Sequence, residues 1–221
     1  MQHGVIWLSH PLAIETPAYG GGEGMKIEKM TQTAEGDTAN TSRFILPNHL
    51  GTHIDTPRHF FDRGASVMDY PARFWIFDAP LLVDVPGEDG HLVTPKDVEE
   101  AVTAQTDILL LRTGYETFRG TPRYWEHNPG LTPELAKWLR KHYPNIRVIG
   151  MDLISVTSRH HREKGRETHR AFLDPDAYGN PVLPIEDMSL ANVDRALNRV
   201  IIAPLRVMNA DGGPCTAFGY L

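Results

Sequence analysis

Short apolar runs punctuate the chain: Val5–Leu8, Arg43–Leu46, Pro80–Val85, Ile108–Arg112, Val148–Met151 and Arg199–Val207. Each is strand-sized and bounded by turn residues, so each predicts a β-strand. Helical signals are fewer. Thr94-Pro95 sets a capping residue before proline at the first helical position and predicts a helix through Asp97-Val98-Glu99-Glu100-Ala101. Thr132-Pro133 predicts a second, in which Leu135, Trp138 and Leu139 make an apolar stripe that packs on the core. A third is expected near Leu190–Leu197. Strands followed by helices and strands again argue for an α/β or α+β domain of one piece. No repeat, low-complexity tract or Pro/Ser-rich linker divides the chain, so residues 1–221 are expected to form one domain.

Composition narrows the function classes. Hydrophobic residues are 41% and charged residues 23% of the 221, enough for an ordered core. The 22 Lys and Arg against 28 Asp and Glu leave a net charge of −6, which argues against a nucleic-acid partner. The start, MQHGVIWLSHPL, lacks a basic segment followed by a long apolar one, so no export signal is visible. The apolar runs are far shorter than the ~20 residues that span a bilayer. A cytoplasmic protein with no membrane partner is therefore expected. One cysteine, Cys215, excludes an internal disulfide framework and a Cys-rich zinc module. Histidine stands apart: six of the eleven fall in two windows, His49 to His59 and His160 to His169.

The first window reads His49-Leu50-Gly51-Thr52-His53-Ile54-Asp55-Thr56-Pro57-Arg58-His59-Phe60. Gly51 and Pro57 disfavour a helix, while Thr52, Ile54 and Thr56 favour extended chain. Alternate residues of an extended chain share a face, so His49, His53, Asp55 and His59 would project together, with Leu50 and Ile54 opposite. At ~3.3 Å per residue, His53 and Asp55 can reach one ion, but His49 would stand about 13 Å from His53. If both histidines are ligands, the chain must curl between them, and Gly51 is the residue that permits it. The alternative is a row of histidines hydrogen-bonded in a polar loop. Three histidines and an aspartate on one face favour metal, and an N/O donor set suits Zn²⁺, Mn²⁺ or Fe²⁺.

The second window, Arg159 to Arg170, is dense in charge and reads as a solvated loop, with anion attraction as the alternative. Beyond it, Glu186-Asp187 precedes the expected third helix, where simple N-terminal helix charge would account for both.

The motif from His49 to Phe60 resembles the signature of the Putative cyclase family, which includes bacterial kynurenine formamidases and isatin hydrolases. Leu8-Ser9-His10-Pro11-Leu12 with Thr16-Pro17, Ile108–Gly114, Gly130–Pro133, Ile149–Asp152, Thr168-His169-Arg170 and Ala203-Pro204-Leu205 match it in order. The resemblance implies an α/β fold of the swivelling β/β/α type, a mixed sheet with flanking helices, and assembly as a homodimer or homotetramer. It implies that His49, His53 and Asp55 bind a first divalent ion, Zn²⁺ or Mn²⁺. Asp55 would bridge to a second, held also by His169 and Glu186, with Asp187 as the alternative to Glu186. His59 would be the acid/base residue, and Tyr19 would take the place of a substrate-contacting tryptophan. Two segments depart from the family: Tyr19-Gly20-Gly21-Gly22 replaces Trp-Pro-Gly-Asp, and Pro214-Cys215-Thr216-Ala217 replaces Pro-Val-Arg-Ala. Both are expected to shape substrate recognition.

These residues suggest a metal-dependent hydrolase of a small amide, cyclic amide or lactone, arylformamidase-like or isatin hydrolase-like. Metal-activated water would attack the carbonyl, and His59 would move the proton. Rival classes are weaker. No G-x-S-x-G elbow is present, and Tyr19-Gly20-Gly21-Gly22-Glu23-Gly24 lacks the Gly-Lys-Ser/Thr ending of a phosphate loop, reading instead as a flexible loop over the site. A metal-stabilised binding protein without turnover is the non-enzyme alternative.

Overall fold

The computed structural model describes residues 4–221. Met1–His3, part of the start read above for an export signal, lie outside them. Thirteen strands are formed: β1 (Val5–Trp7), β2 (Lys26–Thr31), β3 (Thr41–Ile45), β4 (His53–Asp55), β5 (Ile76–Phe77), β6 (Pro80–Asp84), β7 (Leu92–Val93), β8 (Ile108–Arg112), β9 (Gly130–Leu131), β10 (Val148–Met151), β11 (Leu183–Glu186), β12 (Arg199–Pro204) and β13 (Gly212–Tyr220). Three α-helices join them: α1 (Pro122–Glu126), α2 (Pro133–His142) and α3 (Arg162–Leu173).

A nine-stranded mixed sheet runs β5-β12-β13-β4-β11-β10-β8-β6, with β1 also on β13. Strands β6, β8, β10 and β11 are parallel; β4, β12 and β13 pair antiparallel. This is the α/β architecture with a mixed sheet that the sequence implies. The run Ile108–Leu111 is apolar at every position because β8 lies between parallel neighbours and is buried on both faces. β13 ties the halves together: Gly212–Pro214 pair with β4, and Cys215–Tyr220 with β12. No helix among the described residues is long and apolar enough to cross a membrane.

All six expected strands form, and α2 begins where Thr132 accepts a hydrogen bond from the Leu135 N–H. Other expectations need correction. The helix after Thr94 is a single 3-10 turn, Pro95–Asp97, closed by a Thr94–Asp97 capping box; Val98 then leaves the helical region at φ −132°. Leu190–Leu197 forms turns rather than a helix. Side chains take its main-chain groups: Glu116 accepts from the N–H groups of Leu190 and Ala191, and Arg112 donates to the carbonyls of Leu190 and Val193. With no helix there, N-terminal helix charge cannot account for Glu186 and Asp187.

The charged run expected to be a solvated loop is a 3-10 turn, Arg159–His161, followed by α3. Its buried face is Gly165, Thr168, His169 and Phe172, a helical spacing hidden among charges. Glycine in mid-helix is explained by contact: a Cβ at Gly165 would lie 2.4 Å from Thr157 Cγ2. That close approach sets α3 against the segment after β10 and carries His169 inward.

Candidate metal centre

The chain turns sharply at Gly51, whose φ is +67°, before β4 begins. This is the curl the spacing requires, and it brings His49 back towards Asp55 rather than leaving it along a straight strand. A Cβ at Gly51 would also strike Leu12 Cδ2 at 2.6 Å. Leu50 and Ile54 are buried in the core, while His49, His53, Asp55 and His59 line one cavity of about 270 Å³. α3 adds His169 to it, and the end of β11 adds Glu186.

The floor is built from His53, Asp55, His169 and Glu186, all almost fully buried. His53 Nδ1–H donates to the Gly51 carbonyl at 2.8 Å, and His169 Nδ1–H to the Gly165 carbonyl at 2.9 Å. Those bonds occupy each Nδ1 and turn Nε2 into the pocket, the usual second-nitrogen arrangement of a metal-binding histidine. Both Nε2 atoms face the two carboxylates. His53 Nε2 is 3.6 Å from Asp55 Oδ1 and 3.4 Å from Glu186 Oε2; His169 Nε2 is 3.5 Å from Asp55 Oδ2 and 3.3 Å from Glu186 Oε1. Donors each ~2.1 Å from a tetrahedral ion lie about 3.4 Å apart, so these separations fit the edges of a coordination shell. Each carboxylate turns one oxygen to His53 and the other to His169. The donor set therefore fits a divalent metal.

The rim is more open. His49 Nδ1 lies 2.8 Å from Asp55 Oδ1, and its Nε2 lies 2.9 Å from Asp211 Oδ2. His59, in a 3-10 turn (Pro57–His59), places Nδ1 2.8 Å from the same Asp211 oxygen. Nε2 of His59 is thereby left for the cavity. Asp211 escapes the sequence reading because it sits over 150 residues from either histidine, just before β13; the turn dipeptide Asp211-Gly212 is its only local signal.

Electrostatics follow from this packing of the protein groups themselves. Burial alone would lower His49 and His169. Their bonds to carboxylates outweigh it, raising His49 to about 9 and His169 to about 10. Burial and the Asp55 charge push Glu186 up, yet its histidine partners bring it down to about 2. Asp55 is held well below the carboxylate range by His169 and His49 despite its burial.

Asp187 goes elsewhere. At φ +53° its carboxylate takes Arg119 Nε at 2.9 Å and Nη2 at 2.8 Å, and Tyr124 Oη at 2.6 Å. Of the adjacent acids, Glu186 meets the histidines. Tyr19 lines the cavity, but Cys215 and Thr216 line a separate apolar groove beside β1, so of the two divergent segments only the first borders this pocket. Burial pushes the Cys215 thiol up to about 12, so it stays protonated. His160 stays outside, paired with His127 on the surface.

A family model described as Putative cyclase matches residues 6–158, well over half the chain. The chain belongs to the Putative cyclase family. It is 30% identical over 224 residues to a kynurenine formamidase of Geobacillus thermodenitrificans, covering 96% of this chain and 95% of that one. Cyclase-like protein 1 of Arabidopsis thaliana is 29% identical over 217 residues, covering 94% and 81%. Among solved structures, isatin hydrolase A from Labrenzia aggregata, bound to benzyl benzoate, superposes with a TM-score of 0.79 at 21% identity, covering 99% and 93%. The fold is thus that of the cyclase family.

Proposed function

We propose that this member of the cyclase family is a metal-dependent hydrolase of C–N bonds in small non-peptide amides, with a formylated arylamine as the substrate type. The observation that carries this reading is one pocket joining a buried N/O donor set to a histidine–aspartate pair at its rim. The match to a kynurenine formamidase over nearly both full lengths supports the amide substrate, and the resemblance to isatin hydrolase A extends the class to cyclic amides.

Zn²⁺ or Mn²⁺ would be held by His49, His53, Asp55 and Glu186 on one side and by His169, Asp55 and Glu186 on the other, two ions per chain. A divalent ion there supplies carbonyl polarisation and a water acidic enough to react at neutral pH. For His49 to serve as a ligand, one of its two carboxylate contacts must give way. His59 works at Nε2: it takes the proton from the attacking water and returns it to the departing nitrogen. Asp211 holds the opposite ring nitrogen, fixing tautomer and orientation. That pair favours turnover over a binding scaffold. Phe60 stacks on His169 at 5.0 Å between centroids and, with Ile154 and Pro17, gives an aromatic body an apolar bed.

The same resemblance carries self-association as a homodimer or homotetramer. Exposed Trp7, Met30 and Phe44 on β1 and the β2–β3 hairpin support it, since an isolated two-stranded hairpin is marginal in water. Light scattering would test it.

The experiment is a substrate panel with Zn²⁺- and Mn²⁺-loaded protein: formanilides, isatin-type rings and aryl lactones. Turnover of formanilides is expected. Loaded protein that hydrolyses none of the three would reject the hydrolase reading in favour of a binding protein.

A further inference from the structure

Proton transfer and metal binding leave one wall of the pocket without a task. α3 lines it with residues on one face: His169 at the floor, Arg166 one turn out and Arg162 two turns out. At 1.5 Å of rise per residue, Arg166 stands about 4.5 Å and Arg162 about 10.5 Å along the axis from His169. Both arginines lie exposed at the mouth.

The acids that face this pocket are committed to other partners. Asp187 is held by Arg119 and Tyr124, and Asp211 by His49 and His59. Asp55 and Glu186 are engaged by the floor histidines, as metal ligands are in a loaded site. Arg162 and Arg166 are left without a carboxylate partner among the described residues. On the same pocket lining, Tyr19 Oη is buried without a well-formed hydrogen bond among the described residues, its nearest polar neighbour being the Arg159 guanidinium. A buried hydroxyl without a partner is costly unless a ligand completes it. Two guanidinium groups and one hydroxyl thus border the same pocket, with Phe60 and Ile154 in its apolar lining.

We propose that Arg162, Arg166 and Tyr19 form a subsite for an anionic group of the substrate. The preferred substrate is then an aryl amide with a carboxylate at the end away from the scissile carbonyl. Guanidinium groups suit this because they match a carboxylate with two parallel N–H donors. The proposal rests on the amide-hydrolase reading but fails separately from it.

The test compares 4-formamidobenzoate with neutral 4-formamidobenzamide in metal-loaded enzyme. The anion should have kcat/KM at least about tenfold higher, mostly through KM, because charge-assisted hydrogen bonds discriminate by that much. The ratio should shrink as salt screens the mouth. In Arg162→Gln/Arg166→Gln, checked for metal content and circular dichroism, it should fall to near one. Calorimetry with 4-acetamidobenzenesulfonate, a poor metal ligand, gives a second readout: its Kd should weaken at least about tenfold in the double variant. A wild-type ratio near one, or a ratio unchanged in the double variant, overturns the proposal while leaving the hydrolase reading intact. Should neither formamide turn over, the hydrolase reading is what fails. The calorimetry then decides the subsite, and an unchanged Kd overturns it.

Discussion

His53 and His169 at the floor of the pocket each donate one ring nitrogen to a main-chain carbonyl, whereas His49 and His59 at the rim meet the Asp211 carboxylate. A carbonyl that accepts from Nδ1–H turns Nε2 toward the floor carboxylates, so the floor histidines are suited to ligate. The Asp211 carboxylate orients the His59 ring and leaves Nε2 for the cavity, which suits a group that must accept and return a proton. Burial separates the two regions in the same sense, with the floor sealed and the rim side chains 23–36% exposed. His49 is the crossing point, since it touches both Asp55 of the floor and Asp211 of the rim.

The sharpest way to break this comparison is at the floor. Asp55→Asn and Glu186→Gln should each release metal and cut kcat/KM by at least about a thousandfold, because both the water and the carbonyl lose their electrophile. Metal analysis beside kinetics checks it, and a variant that keeps metal and activity places the floor elsewhere. Next comes His59→Ala, expected to lower kcat about 10²- to 10⁴-fold while metal content stays near wild type. Loss of metal in that variant would make His59 a ligand and erase the distinction between rim and floor. Asp211→Asn should cost less, about 10- to 100-fold in kcat, through misorientation of His59 and His49. Its mark is a lowered kcat with little change in KM.

The smallest effect lies in stability. Without metal, His49 and His169 are raised above the ordinary histidine range, to about 9 and about 10. Groups raised in the folded state stabilise it fully below about 6.5, and the benefit is lost as pH rises through their folded values. Thermal melts of metal-free protein should therefore decline between about pH 6.5 and 10, while metal-loaded protein, whose ligating histidines are already neutral, should hold its Tm across that window. Parallel curves for the two forms would count against the assignment.

Much of this was legible in the chain because the first window is local. His49, His53, Asp55 and His59 fall within eleven residues, and Gly51 announces the bend that gathers them. The strands were legible for the same reason, each being a short apolar run with turn residues at its ends. α3 was not, since its large buried hydrophobes, Phe172 and Leu173, come only at its end, after a run of charges that reads as solvent-facing. The false helix at Leu190–Leu197 shows the reverse: its apolar spacing is real, and Leu190, Val193 and Leu197 are buried, but Arg112 and Glu116 compete for its main-chain groups from across the sheet. Asp211 needed the fold itself, because only β13 pairing with β4 brings it beside His59.

The central claim is that the buried floor holds the metal on which hydrolysis depends. Chelated, metal-free protein titrated with Zn²⁺ or Mn²⁺, with bound metal and formanilide hydrolysis measured on the same samples, tests it most directly. Activity should be absent at the start, rise in step with bound metal, and fail to return in Glu186→Gln. Hydrolysis by fully metal-free protein, or a Glu186→Gln variant that regains wild-type activity, would contradict it.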